Sequence, residues 1–403
     1  MSETVKIRNS DKGVTDIDAL YQPSFDERAR QRFVSTLRDH AKTHMRGVLR
    51  DYYQETTEPE YRAEHGHAPE NGDVVEALTR DLPYYRFYSS IRYNAQEMMY
   101  LSTIPAIERR LPEMVALARE IAERSPAGGS LRIDAAFEVP GYVADIDVHL
   151  IPGSFHAEYG PDDVAQAVMV AQGGRVSTGA NRERKADPGN VGRSIAYWLS
   201  QSRPGFKPRR ILDVGTQSGK NLFPYLDIFP DAEAYGVDVS APSLRYGHAK
   251  AEFAGTPVHF SQQSAEAMDF PDGHFDLIVS SFFFHEIPLE STRRVLAECS
   301  RLLAPGGATA HMELPPRALC DPWLNFYWDW DASYNNEPSY IAFRSADIPG
   351  LLVEAGFAAE SPFMQTVPNI ATFDPADYPR FLSGEIAAPM HGRGGWFVFG
   401  AWK

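Results

Sequence analysis

The stretch Ile211-Leu212-Asp213-Val214-Gly215-Thr216-Gln217-Ser218-Gly219 is the part of the chain most suited to holding a ligand against backbone. An apolar run ends in an acid, and a turn of small residues opens a helix at about Lys220. Gly215 permits a tight turn and close approach of a ligand, and Gly219 lets the helix start lie near the strand. Asp238 closes the next apolar run, Ala234 to Val239, where a carboxylate can accept both hydroxyls of a ribose. Turn and acid together specify an adenosine-type ligand. The dinucleotide spacing Gly-x-Gly-x-x-Gly is absent, which opposes a nucleotide-dependent oxidoreductase. A phosphate cradle is absent too, because Gly215 to Gly219 is one residue short and Asn221 follows Lys220. A ligand without phosphate fits better.

A second group of candidates follows the run Phe275–Val279. His285 is the first choice for general base or substrate contact, with Glu286 as its orienter or as an alternative base. The competing reading has His285 capping a helix or packing without proton chemistry. Glu313, near the end of the run Ala308–Met312, is placed to contact substrate, and His311 reads as core. His149 and His156, with Glu158, have metal-ligand chemistry, but their spacing matches no helix-face or zinc signature. No metal is therefore expected, and both histidines read as loop contacts beside the site. Arg86, Arg92 and Asn94 could hold an anionic acceptor if the aromatic helix from Tyr84 covers the site.

These residues need a scaffold, and the chain divides into three regions. Residues 1–127 read as a helical domain. Ser24-Phe25-Asp26-Glu27 is a capping box, and Phe33, Leu37, Ala41, Met45, Leu49 and Tyr52 recur at helical spacing after it, as one long amphipathic helix. Residues 128–200 read as a β-hairpin and linker: Leu131–Val139 and Tyr142–Leu150 have strand composition around Pro140-Gly141, and Gly173–Gly192 is loop-like. In 201–403, short apolar runs alternate with helix-length segments, which means a parallel sheet covered on both faces. Within it, 316–345 holds Trp323, Phe326, Tyr327, Trp328, Trp330 and Tyr334. That segment reads as an aromatic lid over a small substrate, with Trp323 and Tyr327 as contacts, or as a packing face against the N-terminal helices.

Four ordered blocks between Arg210 and about Pro315 resemble the core of class I S-adenosylmethionine-dependent methyltransferases. Asp213 to Gly219 resembles the motif that wraps the methionine part of the cofactor, which implies contacts from Thr216 and Gln217 as well. Gly236-Val-Asp238-Val239-Ser240 resembles the block with the ribose-binding acid. Ser264-Ala265-Glu266 opens the adenine-contacting block, and Arg301 to Gly307 resembles the turn before the fifth strand. Ser281 and Phe282 fall at the mouth the resemblance implies. Gln217 stands where the family has its middle glycine, so its side chain must turn away from the methionine or touch it. Ser264 stands where many members have Asp, which leaves the adenine amine to Ser264, Glu266 or backbone. The resemblance implies an α/β fold, a Rossmann-like seven-stranded methyltransferase sheet with an N-terminal mainly helical domain and a small β insertion. It implies S-adenosyl-L-methionine as cofactor and methyl transfer to a small-molecule acceptor. The long N-terminal region and Gln217 leave a non-catalytic cofactor-binding or assembly protein as the alternative.

The chain has 403 residues, 43% apolar and 23% charged, ample for a large core. Its formal net charge of −15 opposes a nucleic-acid partner and an anionic membrane surface. Cys299 and Cys320 are the two cysteines, too few for a disulfide framework or a thiolate-only zinc site. Met1 to Asp16 lacks the apolar run of a secretory signal, and no run of about 18 apolar residues exists. The expectation is a cytoplasmic protein, with a homodimer formed through the N-terminal helices.

Overall fold

The computed structural model describes residues 13–179, 190–392 and 394–403. One sheet organises it. Its strands are β1 (Ser130–Arg132), β2 (Arg210–Val214), β3 (Glu233–Asp238), β4 (Val258–Gln262), β5 (Phe275–Ser281), β6 (Leu303–Glu313), β7 (Pro362–Pro368) and β8 (Gly395–Trp402). Their order is β1-β4-β3-β2-β5-β6-β8-β7. The first six run parallel, and β8 is antiparallel to both β6 and β7. From β2 the chain proceeds outward through β3 and β4, then crosses back to place β5 on the other side of β2. That reversal opens a crevice at the carboxyl ends of β2 and β5.

The central strands are buried along nearly their whole length because helices cover both faces. Ile195, Leu199, Tyr225 and Leu244 pack on one face, and Val295, Leu296, Leu302 and Leu352 on the other. Each such side chain contributes roughly 1.5–3 kcal/mol through removal from water.

The sheet has eight strands where seven were expected. The additional one is β1, which extends the edge alongside β4. It is held there by Glu252, a buried carboxylate that accepts from the Gly129 amide at 2.9 Å. The expected β-hairpin does not form. Pro140-Gly141 opens a helical turn, Gly141–Ala144, and Val148–Leu150 is another short helical turn. Strand composition without an available neighbouring edge does not make a strand. The expected linker at Gly173–Gly192 overlaps two helices, Ala165–Ser177 and Asn190–Ser202, and its middle lies outside the described residues.

The N-terminal region is helical. Ser24 caps the helix Phe25–His40 with the reciprocal Glu27 bond. The run continues to His65 through two wide turns, Ala41–Met45 and Tyr53–Thr57. The aromatic helix Pro322–Ser333 packs on these N-terminal helices. Trp323 stacks on Tyr53 at 5.1 Å, and the Trp330 indole N–H donates to Ser89 at 2.8 Å. The packing-face reading of this segment therefore describes Trp323 and Tyr327 better than the lid: both are buried in the seam, with Arg46 over the Tyr327 ring. Among the described residues no helix is long and apolar enough to cross a membrane.

Candidate active site

At the end of β2 the backbone enters the left-handed region three times in five residues, at Gly215 (φ 64°), Gln217 (φ 51°) and Gly219 (φ 73°). A Cβ on Gly215 would overlap the Phe283 ring, so the close approach of β2 and β5 requires glycine there. Gln217 adopts the glycine-like conformation without being glycine, at a cost of about 1–2 kcal/mol. Its amide donates to Asp238 Oδ2 at 2.8 Å, which ties the turn to the end of β3. Asp238 Oδ1 accepts from the Ser240 amide at 2.8 Å, and the Thr216 hydroxyl donates to Asp213 Oδ2 at 2.7 Å.

A cavity of about 660 Å³ opens from this turn. Asp213, Gly215, Thr216, Gln217, Asp238 and Val239 border it on one side. Ala265, Ser281 and Phe282 border it as well, joined by Gln263, Phe283 and Ile287, which the sequence motifs did not single out. Gly219, Ser264 and Glu266 do not reach it. Gly219 backs onto Phe223 and Phe260, and Glu266 is taken by Tyr142 at 2.9 Å and by Arg294. Of the adenine block, Ala265 and its neighbour Gln263 line the cavity wall, and Ser264 and Glu266 do not.

The far wall comes from the N-terminal helices. Arg38, Lys42, Arg92, Gln96, Met99 and Tyr100 line it. Of the three anion-binding candidates, Arg92 alone arrives: Arg86 pairs with Asp81 at the surface, and Asn94 bonds back to Ser90.

Between the two walls lies a cluster of histidines and carboxylates. Glu313, fully buried at the end of β6, accepts from the Phe284 amide at 2.6 Å and from His285 Nδ1 at 2.6 Å. This pins the turn Phe284–Glu286 and hides His285, which is 3% exposed and does not border the cavity. Neither His285 nor Glu313 borders the cavity, and Glu286 and His149 do. His149 Nε2 lies 2.8 Å from Glu286 Oε1, and its Nδ1 lies 3.3 Å from Glu337 Oε1. Two consecutive left-handed residues, His149 (φ 57°) and Leu150 (φ 56°), aim that imidazole inward. His156 is elsewhere, beside the Gly153 carbonyl, with Glu158 on Arg245. The grouping of His149 with His156 and Glu158 does not form.

Burial works against charge on His149, and the carboxylates of Glu286 and Glu337 outweigh it, holding the imidazole well above its ordinary range. His285 is raised in the same way by Glu313 and Glu286. For Glu286 burial acts upward, but His149 wins and keeps the carboxyl well below its usual range. One oxygen of Glu286, Oε2, is buried without a partner among the described residues. Ligand atoms of His149, Glu286 and Glu337 lie within 4.8 Å of one another, a spacing a metal ion could use. Both nitrogens of His149 already face carboxylates, so an imidazolium there supplies the positive charge the pair needs. Glu337 and Asn335 had no local signal in the sequence; the signal for Arg38 and Lys42 was a basic pair one helical turn apart beside the apolar stripe.

The open sheet with its crevice, glycine turn and strand-end acid defines an adenosine-binding α/β domain of the methyltransferase kind. Residues 211–307 match the model of a methyltransferase domain family. It is similar to the demethylmenaquinone methyltransferase of Thermus thermophilus, 38% identical over 109 residues, covering 27% of this chain and 49% of that protein. It is also similar to that of Deinococcus radiodurans, 32% identical over 111 residues, covering 28% and 45%. The chain spans about half the length of these curated relatives. A solved S-adenosylmethionine-dependent methyltransferase of Aquifex aeolicus is 19% identical with a TM-score of 0.34, over 56% of this chain and 96% of that one.

S-adenosylmethionine is the cofactor of this domain, and the residues present fit it. The turn leaves backbone, not side chain, against the ligand space, and Asp213 and Asp238 suit a cationic guest. Burial pushes the Asp213 carboxyl up to about 7, and Asp238 moves in the same direction for the same reason. Without a ligand, Asp213 therefore favours the fold most at low pH and loses that contribution as pH rises from its ordinary value of 3.8 toward 7. A bound cation favours the ionised forms. Cofactor affinity is expected to rise between about pH 5 and pH 8 with release of a proton, read by calorimetry in buffers of different ionisation heat. Affinity that stays flat across that range contradicts the assignment.

Proposed function

We propose that this chain transfers a methyl group from S-adenosylmethionine to a small-molecule acceptor held in the chamber between the glycine turn and the N-terminal helices. One observation supports it above the others: a single cavity joins the cofactor turn to Glu286, His149 and the helical wall. The sulfonium supplies an activated methyl, so the protein's task is to orient a nucleophile in line and exclude water. Glu286 Oε2 is the atom free to accept an O–H or N–H of the acceptor. Glu286, kept ionised by the His149 imidazolium at 2.8 Å, accepts that hydrogen bond and turns the nucleophile toward the methyl, and the proton the acceptor loses leaves to solvent. Glu313 and His285 act as positioning residues that hold Glu286 in place.

The curated relatives are named for methylating a menaquinone precursor, but the shared stretch is about a quarter of this chain. Their acceptors stay with them. The same proposal keeps a cytoplasmic location and a homodimer through the N-terminal helices, where Phe25, Phe33 and Phe87 are exposed. Sedimentation as a monomer removes the pairing.

The test follows radiolabelled methyl from the cofactor into a small-molecule extract. Label is expected in the organic or aqueous metabolite fraction, reduced about 100-fold in Glu286→Gln, with affinity for S-adenosylhomocysteine unchanged. Tight S-adenosylhomocysteine binding with no label transferred by the unaltered protein favours the non-catalytic assembly reading instead.

A further inference from the structure

The helical wall carries more positive charge than the fold itself neutralises. Arg38, Lys42 and Arg92 all border the cavity, and the carboxylate facing them there is Asp331. Asp331 is engaged by Arg92 through both oxygens, at 2.6 and 3.2 Å. Among the described residues neither Arg38 nor Lys42 has a carboxylate at ion-pair distance; Asp331, and for Lys42 also Asp39, act on them from farther away. Arg38 is 5% exposed; its terminal nitrogens donate to Gln96 and Ser177, and its Nε is buried with no partner among the described residues. Lys42 reaches no carboxylate at ion-pair distance among the described residues; it is an exposed residue that borders the cavity.

Local structure brings the two together. Lys42 follows Arg38 by four residues, which sets both on one helix face. It also lies in the wide turn Ala41–Met45, a local unwinding of the kind that helices often carry at functional sites. Arg38, buried, and Lys42, exposed at the cavity rim, are like charges one turn apart and repel each other. Burial, then the neighbouring Arg38, brings the Lys42 amine down to about 8, and burial, then Arg92, brings Arg38 down to about 10. An anion between them reverses the sign of that interaction and satisfies the orphaned Nε.

Asp213 and Asp238 lie at the cofactor turn together with Lys220, and Arg38, Lys42 and Arg92 lie on the opposite wall. Gln96 stands between that wall and the carboxylate cluster. Its Oε1 accepts from Arg92 at 3.2 Å, and its Nε2 donates to the His149 carbonyl at 3.0 Å.

We propose that the methyl acceptor carries a compact oxyanion, a carboxylate or a phosphate, seated between Arg38 Nε and Lys42 Nζ, with its nucleophile turned toward Glu286. The proposal rests on the reading of this cavity as the acceptor chamber. Met99, Tyr100, Val170 and Phe155 on the same lining supply apolar surface for the body of the molecule between its two polar ends.

The experiment titrates benzoate, phenyl phosphate and benzamide into the full-length protein, with and without S-adenosylhomocysteine, at pH 7. The anions are expected to bind at least about 10-fold tighter than isosteric benzamide, with the preference fading above about pH 8 as Lys42 loses its proton. Preference for phenyl phosphate over benzoate identifies a phosphate, and the reverse a carboxylate. Lys42→Met is expected to remove about 10-fold of the anion affinity and none of the S-adenosylhomocysteine affinity. Arg38→Met is expected to remove more; Lys42→Met, at a position open to the cavity, keeps the test readable if Arg38→Met does not fold. Equal binding of benzamide and benzoate, no binding of any of the three, or an unchanged anion preference in Lys42→Met overturns the proposal. Loss of S-adenosylhomocysteine binding in the unaltered protein would instead overturn the cofactor reading, and the titration without it still reports on the anion site.

Discussion

Glu313→Ala is expected to lower folding stability by about 3–5 kcal/mol, the cost of removing one partner from a buried charged pair. Glu313 is fully buried, and its carboxylate accepts from the Phe284 amide, the Leu314 amide and His285 Nδ1. Alanine leaves two amides and an imidazole without partners in a place water does not reach. Glu313→Gln keeps an acceptor for the amides and loses the charge, so a smaller cost of about 1–3 kcal/mol is expected. The pH dependence carries a sign. His285 has a raised pKa in the fold, so its pairing contributes fully below its ordinary value of 6.5 and is lost as pH climbs through the raised one. In Glu313→Ala that acid-side contribution disappears, and the gap between variant and parent is widest at low pH. Urea melts at pH 5.5 and pH 8.5 measure it. A cost under 1 kcal/mol at both pH values would mean that the carboxylate is not the anchor of this turn.

Asp238→Ala is expected to weaken S-adenosylhomocysteine binding by 100-fold or more. Two charge-assisted hydrogen bonds from a ribose contribute about 1.5–3 kcal/mol each, and every 1.4 kcal/mol is tenfold in affinity. The substitution also frees the Gln217 and Ser240 amides, which Asp238 accepts at 2.8 Å each, so the glycine turn loses its tie to β3. Asp238→Asn keeps one acceptor oxygen and sets an N–H against one of those amides. Its loss should fall between that of the parent and that of the alanine variant. Calorimetric titration decides the matter, and binding within threefold of the parent in Asp238→Ala excludes this residue as the ribose partner.

The parts of the site legible in the sequence are those whose geometry is local. Gly215, Gly219 and Asp238 announce themselves because a strand end, a left-handed turn and an acid at a strand end are all written in a few neighbouring residues. Gln217 shows the same rule from the other side: it takes the left-handed conformation although its type disfavours it, because the turn around it is already determined. The His285–Glu313 pair was half legible. Each residue stood out singly, yet their pairing depends on the register of β5 against β6, where Ser281 lies opposite Met312. That register brings the first residues after β5 beside the last residue of β6, and it is also what turns His285 away from the cavity.

Other patterns had two structural solutions. The aromatic run from Trp323 to Trp330 specifies a helix with a large apolar surface and not what that surface covers; it covers Tyr53, Tyr85 and Tyr88. The segment 131–150 has strand composition, but strand preference is a fit to a neighbouring edge, and beyond Arg132 it found none. Its histidine reached the site through two left-handed residues that no composition predicts.

The sequence by itself determined a doubly covered parallel sheet and the turn that receives S-adenosylmethionine, since both follow from periodicity and from residues within one strand–turn–helix unit. Only the tertiary structure decided the cavity between that turn and the N-terminal helices. Arg38, Arg92, His149, Glu286 and Asp331 belong to five segments spread over almost three hundred residues, and nothing local in the sequence places them together. They become a site when the apolar seam of Tyr53, Tyr88, Trp323 and Trp330 presses the N-terminal helices onto the sheet, because burial of that seam, not any affinity between the charges, brings them together.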